Sequence, residues 1–110
     1  MPLARKSYPI TPDGRYFVVA KRLWRCSNPN ISDSLRRTLV LALMAARRAV
    51  RDANGDKQAL ARARAEVNKT KIALGERGPP WWTDGAPDYN RHLVKTTPYA
   101  EWFRTLGSQE

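Results

Sequence analysis

A helix stop followed at once by a helix start is what most constrains this chain. Asn54-Gly55-Asp56 lies between two stretches of helical periodicity. Asn and Gly accept the left-handed conformation that ends a helix, and an Asp next in line caps the one that follows. Upstream, Ser32 or Asp33 supplies the cap for a helix running to about Ala53. Downstream, a second helix runs from about Lys57 to Leu74 and stops at Gly75. Two long helices joined by so few residues must fold back antiparallel, so residues 32–74 are predicted to form an α-hairpin. Its seam follows from the spacing. Leu35, Leu39, Ala42, Leu43, Ala46, Ala49, Val50 and Ala53 share one broad face of the first helix, and Leu60, Ala63, Val67, Thr70 and Leu74 repeat along the second. Ala61, Ala65 and Ile72 add a weaker second strip, so the second helix is expected to pack on two sides, with the C-terminal segment as its other neighbour.

The flanks carry different signals. Pro2, Pro9 and Pro12 make residues 1–13 an extended lead-in, and Pro12-Asp13-Gly14 a turn. In residues 15–26, Tyr16 to Val19 is β-branched and aromatic, Ala20-Lys21-Arg22 can turn, and Leu23 to Cys26 can return, which reads as a short β-hairpin. Such a hairpin is marginal alone and must lean on something. Residues 78–107 form an aromatic arm. Within it a short helix is expected from Pro87 or Asp88 through Val94, and another from the Thr97-Pro98 cap to about Gly107. The expected fold is mainly α: a long antiparallel α-hairpin flanked by a short N-terminal β-hairpin and a C-terminal aromatic arm with short helices. The arm is expected to pack across the helices, anchored by Trp81, Trp82, Tyr89, Tyr99, Trp102 and Phe103. The 110 residues suffice for one small domain.

Charge narrows the functional classes. Twenty Lys and Arg stand against ten acids, a net charge of +10, while 42% hydrophobic content still allows a core. A compact domain so charged attracts polyanions, namely nucleic acid, anionic lipid or an acidic protein; the alternative is a merely solubilising surface. The one cysteine, Cys26, excludes an internal disulfide and a Cys-based zinc site, which fits a cytoplasmic location. The N-terminal stretch lacks the apolar region of a signal peptide, and the longest apolar run, Leu39 to Ala46, is too short to cross a bilayer. No membrane partner is expected.

Three groups of residues are candidates for chemistry. In DGAPDYNRH, Asp84, Asp88, Asn90 and His92 lie close enough to hold a divalent ion, or to pair a carboxylate with a histidine base. The Asp-x-Asx alternation and closing Glu of a calcium loop are missing, and both acids have turn or cap duties, so neither a metal nor a catalytic residue is assigned. Trp81 and Trp82, with Trp24 and Trp102, either stack on exposed bases or form the large-residue core that an alanine-rich hairpin lacks. The structural reading makes Trp81, Trp82, Asp84, Asp88 and Trp102 a clamp. The arginines of the first helix carry the stronger signal. Arg36, Arg37, Arg47, Arg48 and Arg51 fall in one arc nearly opposite the seam, with Asp33 the acid amid them. Ordinary solvated faces mix signs, and guanidinium groups suit phosphate. Val40 and Met44 share the arc and allow a rival, in which this face packs under another segment with its arginines paired to Asp84, Asp88 or Glu101. Lys21, Arg22 and Arg25 add charge on the β-hairpin. Lys57, Arg64 and Lys71 lie on one flank of the second helix, Arg62 and Lys69 on another. No Gly-rich phosphate loop, Walker lysine, zinc spacing or RNP-type aromatic pattern is present, so no cofactor is assigned.

The motifs WWTDGAPDYNR and TPYAEW, with RYFVV, LWR and ALMAARRAV before them, resemble a family of small uncharacterised bacterial proteins from Arg15 to Phe103. The resemblance implies a bacterial origin and a stand-alone domain, and it carries over no catalytic residue. The expected function is a small basic accessory protein that contacts nucleic-acid phosphates, DNA or RNA, with little sequence reading. The alternative is a module that docks an acidic protein through its basic face and aromatic arm, and an enzyme stands third.

Overall fold

The computed structural model describes residues 8–107, so the part of the lead-in at 1–7 lies outside the described residues. The chain is mainly helical: β1 (Tyr16–Val19), β2 (Arg22–Arg25), α1 (Asp33–Asp52), α2 (Lys57–Leu74), a 3₁₀ turn (Val94–Thr96) and α3 (Ala100–Arg104). Two compact units result. The β-unit holds the described residues of Met1–Cys26 and Trp82–Glu110, and the α-unit is Ser27–Trp81. Among the described residues no helix is long and apolar enough to cross a membrane.

The α-unit is an antiparallel hairpin of α1 and α2, packed along their lengths. Its ends are set by local chemistry. Ser32 caps α1, its hydroxyl accepting from the Leu35 amide at 3.0 Å. Asn54 and Gly55, at φ 48° and 91°, reverse the chain in the left-handed region. Asp56 caps α2 by accepting from the Gln58 and Ala59 amides. Gly75 ends α2 at φ 89°, and the Glu76 amide reaches back to the Lys71 carbonyl at 3.0 Å, which closes the last turn.

Leu43 and Ala46 of α1 and Ala63, Thr70 and Leu74 of α2 are buried, with Leu39, Val50, Leu60 and Val67 half-buried beside them. On α2 the buried stripe is the one the spacing defines. On α1 it is displaced: Leu35, Ala42 and Ala49 are exposed, while Arg36, Val40 and Arg47 are half-buried. Burying Leu39, Leu43 and Val50 removes more apolar surface from water than burying alanines, so the helix presents its bulky edge and leaves the alanine edge in solvent. The second strip of α2, Ala61, Ala65 and Ile72, is exposed as well.

The β-unit is built on an antiparallel pair with Tyr16 opposite Arg25, Phe17 opposite Trp24, Val18 opposite Leu23 and Val19 opposite Arg22. The turn uses Ala20 and Lys21, both at positive φ (52° and 67°), a conformation usually given to Asn or Gly. Thr11 to Gly14 turns into β1, with the Gly14 amide on the Thr11 carbonyl at 2.8 Å. Single bridges extend both edges, Ile10 on Phe17 and Leu93 on Arg22.

Tyr16, Val18, Leu23 and Val94 form the buried cluster of this unit, and Trp82, Tyr89, Tyr99, Trp102 and Phe103 pack against it. Of the anchors expected for the arm, Trp82, Tyr89, Tyr99, Trp102 and Phe103 lie on the β-hairpin cluster, whose short strands need a second layer to be stable, while Trp81 belongs to the α-unit. The helix expected from Asp88 through Val94 is absent. The Arg91 amide donates to the Leu23 carbonyl, the Leu23 amide to His92, and the Val94 amide to Lys21. Arg91 sits at φ 73°, which no helix interior tolerates. The segment runs along β2 instead. The last helix is also shorter than expected. Thr97 accepts from the Tyr99 amide at 3.2 Å, but regular helix spans only Ala100–Arg104.

Candidate nucleic-acid interface

The arginine face of α1 divides in two. Arg37, Arg48 and Arg51 are exposed on the outer side. Arg36 and Arg47 border the seam and are half-buried, and Arg36 donates to the Asn28 carbonyl at 2.7 Å. Among the described residues, Arg36, Arg37, Arg47 and Arg48 have no acid within ion-pair distance, and Arg51 meets the exposed Asp52 at 3.7 Å. An exposed pair of that kind is worth little and is screened by salt.

The rival reading pairs α1 arginines with Asp84, Asp88 or Glu101. Each of those acids has its own arginine within the β-unit. Asp84 is paired with Arg15, Asp88 takes Arg25 at 3.0 Å, and Glu101 is paired with Arg104. The reason is reach along the sheet: Arg15 and Arg25 flank the hairpin on which the arm is laid.

The stretch from Trp82 to His92 is held at several points. Asp84 accepts from the Ala86 amide and Asp88 from the Asn90 amide, each at 3.0 Å, so both close Asx turns. The Ala86 amide and then Arg15 hold the Asp84 carboxyl below the usual carboxylate range, and Asp84 in turn raises the Arg15 guanidinium. Arg25, 1% exposed, links Asp88 to the core. The Tyr16 hydroxyl donates to Asp88 at 3.3 Å and accepts from the Tyr89 amide at 2.7 Å. Burial pushes that phenol up to about 12. Burial acts first on Tyr99 too, and its bond to Asp13 raises it further. Burial alone would raise Asp13, yet the bonds from Tyr99 and Thr11 outweigh it and leave the carboxyl lowered.

Trp82 stands edge-on to Tyr16, with its indole N–H on the Ala86 carbonyl at 2.8 Å and the Arg15 guanidinium 4.8 Å from its ring centre. Trp81 belongs to the α-unit, half-buried beside Gly75. Trp102 is half-buried against the β-unit cluster. His92 is exposed with its ring against Tyr89, and Asp88 is engaged elsewhere, so the two form no acid–base pair. Among the described residues no three potential metal ligands lie together. Lys21 and Arg22 are exposed in the β-unit, where Arg22 donates to the Arg91 carbonyl at 2.7 Å.

Two arginines escaped the face drawn on α1. Arg64 of α2 and Arg77, beyond the Gly75 cap, line a cleft of about 380 Å³ with Arg47, Val50 and Val67. Arg64 was visible as a flank charge. Arg77 was not, because its position depends on the chain reversal after α2. No family model, curated protein or solved structure matches the chain, so its function is read from geometry and charge.

Proposed function

We propose that this protein is a small basic accessory protein that binds nucleic-acid phosphates largely without sequence specificity, chiefly through α1. One observation carries the reading: Arg37 and Arg48 stand exposed on one helix face with no acidic partner among the described residues. Residues 27–81 hold eleven Lys and Arg against five acids, so the potential over this unit favours a polyanion. Guanidinium groups engage phosphate oxygens bidentately. Exposed Lys21 and Arg22 on the β-hairpin supply further contacts.

Counterion release tests this directly. Engaging three to five arginines predicts a slope of log K against log salt of about −3 to −4.5 on duplex DNA. Replacing Arg37 and Arg48 together by Ala is expected to make the slope shallower by about two and to weaken all sequences alike. Absence of binding at low salt would sink the reading.

A second reading draws on Leu41 and Met44, which are 60% and 39% exposed in the same stripe as Arg37, Arg48 and Arg51. Apolar groups between cations suit an acidic amphipathic segment of a partner protein. Leu41→Ser separates the two: it leaves oligonucleotide affinity unchanged if phosphates are the ligand, and lowers affinity for an acidic amphipathic peptide under the alternative.

A further inference from the structure

The two sides of the α-hairpin differ in what they offer a ligand. One groove, of about 730 Å³, is lined mostly by alanines, with Asp52, Arg62 and Glu66 at its edges. Its charges are mixed, and nothing singles out an occupant. The other side is the cleft of about 380 Å³ lined by Arg47, Val50, Arg64, Val67 and Arg77. Here three guanidinium groups surround two valines and no acid is among the lining residues. Arg77 is fixed by its donation to the Asn68 side-chain oxygen at 3.1 Å, a neutral acceptor that leaves its charge uncompensated. Arg47 and Arg77 are half-buried, so part of the cation set is held away from bulk water, where an anion is felt more strongly.

Three like charges at one cleft repel one another in the empty protein, and an anion between them removes that repulsion. Phosphate fits the guanidinium fork. The valine floor adds a requirement that inorganic phosphate cannot meet, namely an apolar or flat group joined to the anion. A guanidinium plane also stacks on a base. The volume lies at the small end for ligand pockets, which suits one such unit and not a duplex.

We infer that this cleft binds a single phosphorylated nucleoside unit, its phosphate on Arg47, Arg64 and Arg77 and its sugar or base on Val50 and Val67. The same chemistry is offered by a free nucleotide and by an unpaired residue of a nucleic-acid strand. The strand is the expected source, and that part rests on the nucleic-acid reading given above. The outer arginines Arg37 and Arg48 then hold the neighbouring phosphates, and the cleft gives a preference for single strands.

The test uses the full chain with four probes at low salt: a labelled oligothymidylate strand, a duplex of equal length, adenosine monophosphate and inorganic phosphate. AMP is expected to compete with the strand where inorganic phosphate at equal ionic strength does not. Arg64→Ala with Arg77→Ala is expected to weaken the strand about tenfold, the scale of a lost hydrogen bond to a charged group, with a smaller effect on the duplex. Arg37→Ala with Arg48→Ala should weaken both alike, and Arg62→Ala, on the other groove, neither. Should the alanine pair fail to fold by its melting curve, Arg64→Lys with Arg77→Lys decides, since it keeps the charge and loses the fork. Inorganic phosphate competing as well as AMP, or cleft and outer variants that behave identically, would overturn the cleft while leaving the nucleic-acid reading in place. AMP bound through Arg64 and Arg77 with no strand bound would retain the cleft as a free-nucleotide site and overturn that reading. Neither ligand bound overturns both.

Discussion

The β-unit and the α-unit spend their charges differently. In the β-unit each described acid is engaged: Asp13 by Tyr99 and Thr11, Asp84 by Arg15, Asp88 by Arg25 and Tyr16, Glu101 by Arg104. In the α-unit Asp56 is a helix cap, Glu76 accepts from Ser27 at 2.6 Å, and among the described residues Asp52 pairs only with Arg51 while the exposed Asp33 and Glu66 make no ion pair. Arg15 and Arg25 in the first unit therefore join segments distant in sequence, whereas most arginine in the second is left to solvent. The same residue type is structural where an acid comes back to meet it and available for a ligand where none does.

The comparison breaks most visibly at Arg25. Replacing it by Ala leaves Asp88 without its cation and opens a void under Trp82. Losing one partner of a buried pair costs about 3–5 kcal/mol, and partial solvation of Asp88 places this case near the lower end. Urea unfolding followed by tryptophan fluorescence measures it, and a loss below about 1 kcal/mol would show that the pair does not hold the arm to the hairpin.

In the α-unit the corresponding weak point is backbone, not charge. A Cβ on Gly75 would stand 2.9 Å from the Asn28 Cβ and 3.0 Å from its amide nitrogen, at φ 89°. Gly75→Ala is expected to cost about 1–3 kcal/mol through strain and to lower the helical melting temperature by circular dichroism. Unchanged melting would mean that the α2 end relaxes freely.

pH separates the units next. Asp13 and Asp84 are lowered in the folded chain, so the stability they give is present above the ordinary carboxylate pKa and is lost as pH falls through their folded values, below about 4. Tyr16 is raised from 10.0 to about 12, so its contribution is complete below pH 10 and is lost as pH rises towards 12. Near-ultraviolet circular dichroism, which reports the aromatic cluster, is expected to decay at both extremes. Tyr16→Phe should remove the alkaline change assigned to that phenol. A flat near-ultraviolet signal across both limits would contradict the network.

What was legible in the sequence follows the range of the forces involved. Ser32, Asn54-Gly55, Asp56 and Gly75 act on amides within a few residues, so the α-hairpin and its ends could be read directly. The direction in which α1 rolls could not, because Leu35 and Leu43 look alike until a partner chooses between them. Nor could the path of residues 91–94, whose amides and carbonyls are satisfied by β2 some seventy residues earlier. Pro87 and Asp88 start a helix by local rules, and pairing with Leu23 overrides them. For the candidate interface, periodicity alone grouped Arg36, Arg37, Arg47, Arg48 and Arg51, without telling the exposed Arg37, Arg48 and Arg51 from the half-buried pair. It missed the contribution of Arg77, which depends on the turn at Gly75 and on Asn68.

The smallest expected effect gives the sharpest contrast between the units. Arg48 has Arg51 one helical turn on, and the acid at the same distance, Asp52, lies against Arg51 and not against Arg48. Like charges at that spacing destabilise a helix by a few tenths of a kcal/mol, and Ala is the better helix former. Arg48→Ala is therefore expected to raise stability by about 0.2–0.5 kcal/mol at low ionic strength. The electrostatic part of that gain should shrink as salt screens the repulsion. Arg25→Ala does the opposite, since there the arginine is held by an acid. Paired thermal melts at low and high salt read both effects. A loss above about 1 kcal/mol for Arg48→Ala would place that side chain in the packing of α1. The arginine would then be structural in the α-unit too, and its charge would not be kept for a ligand.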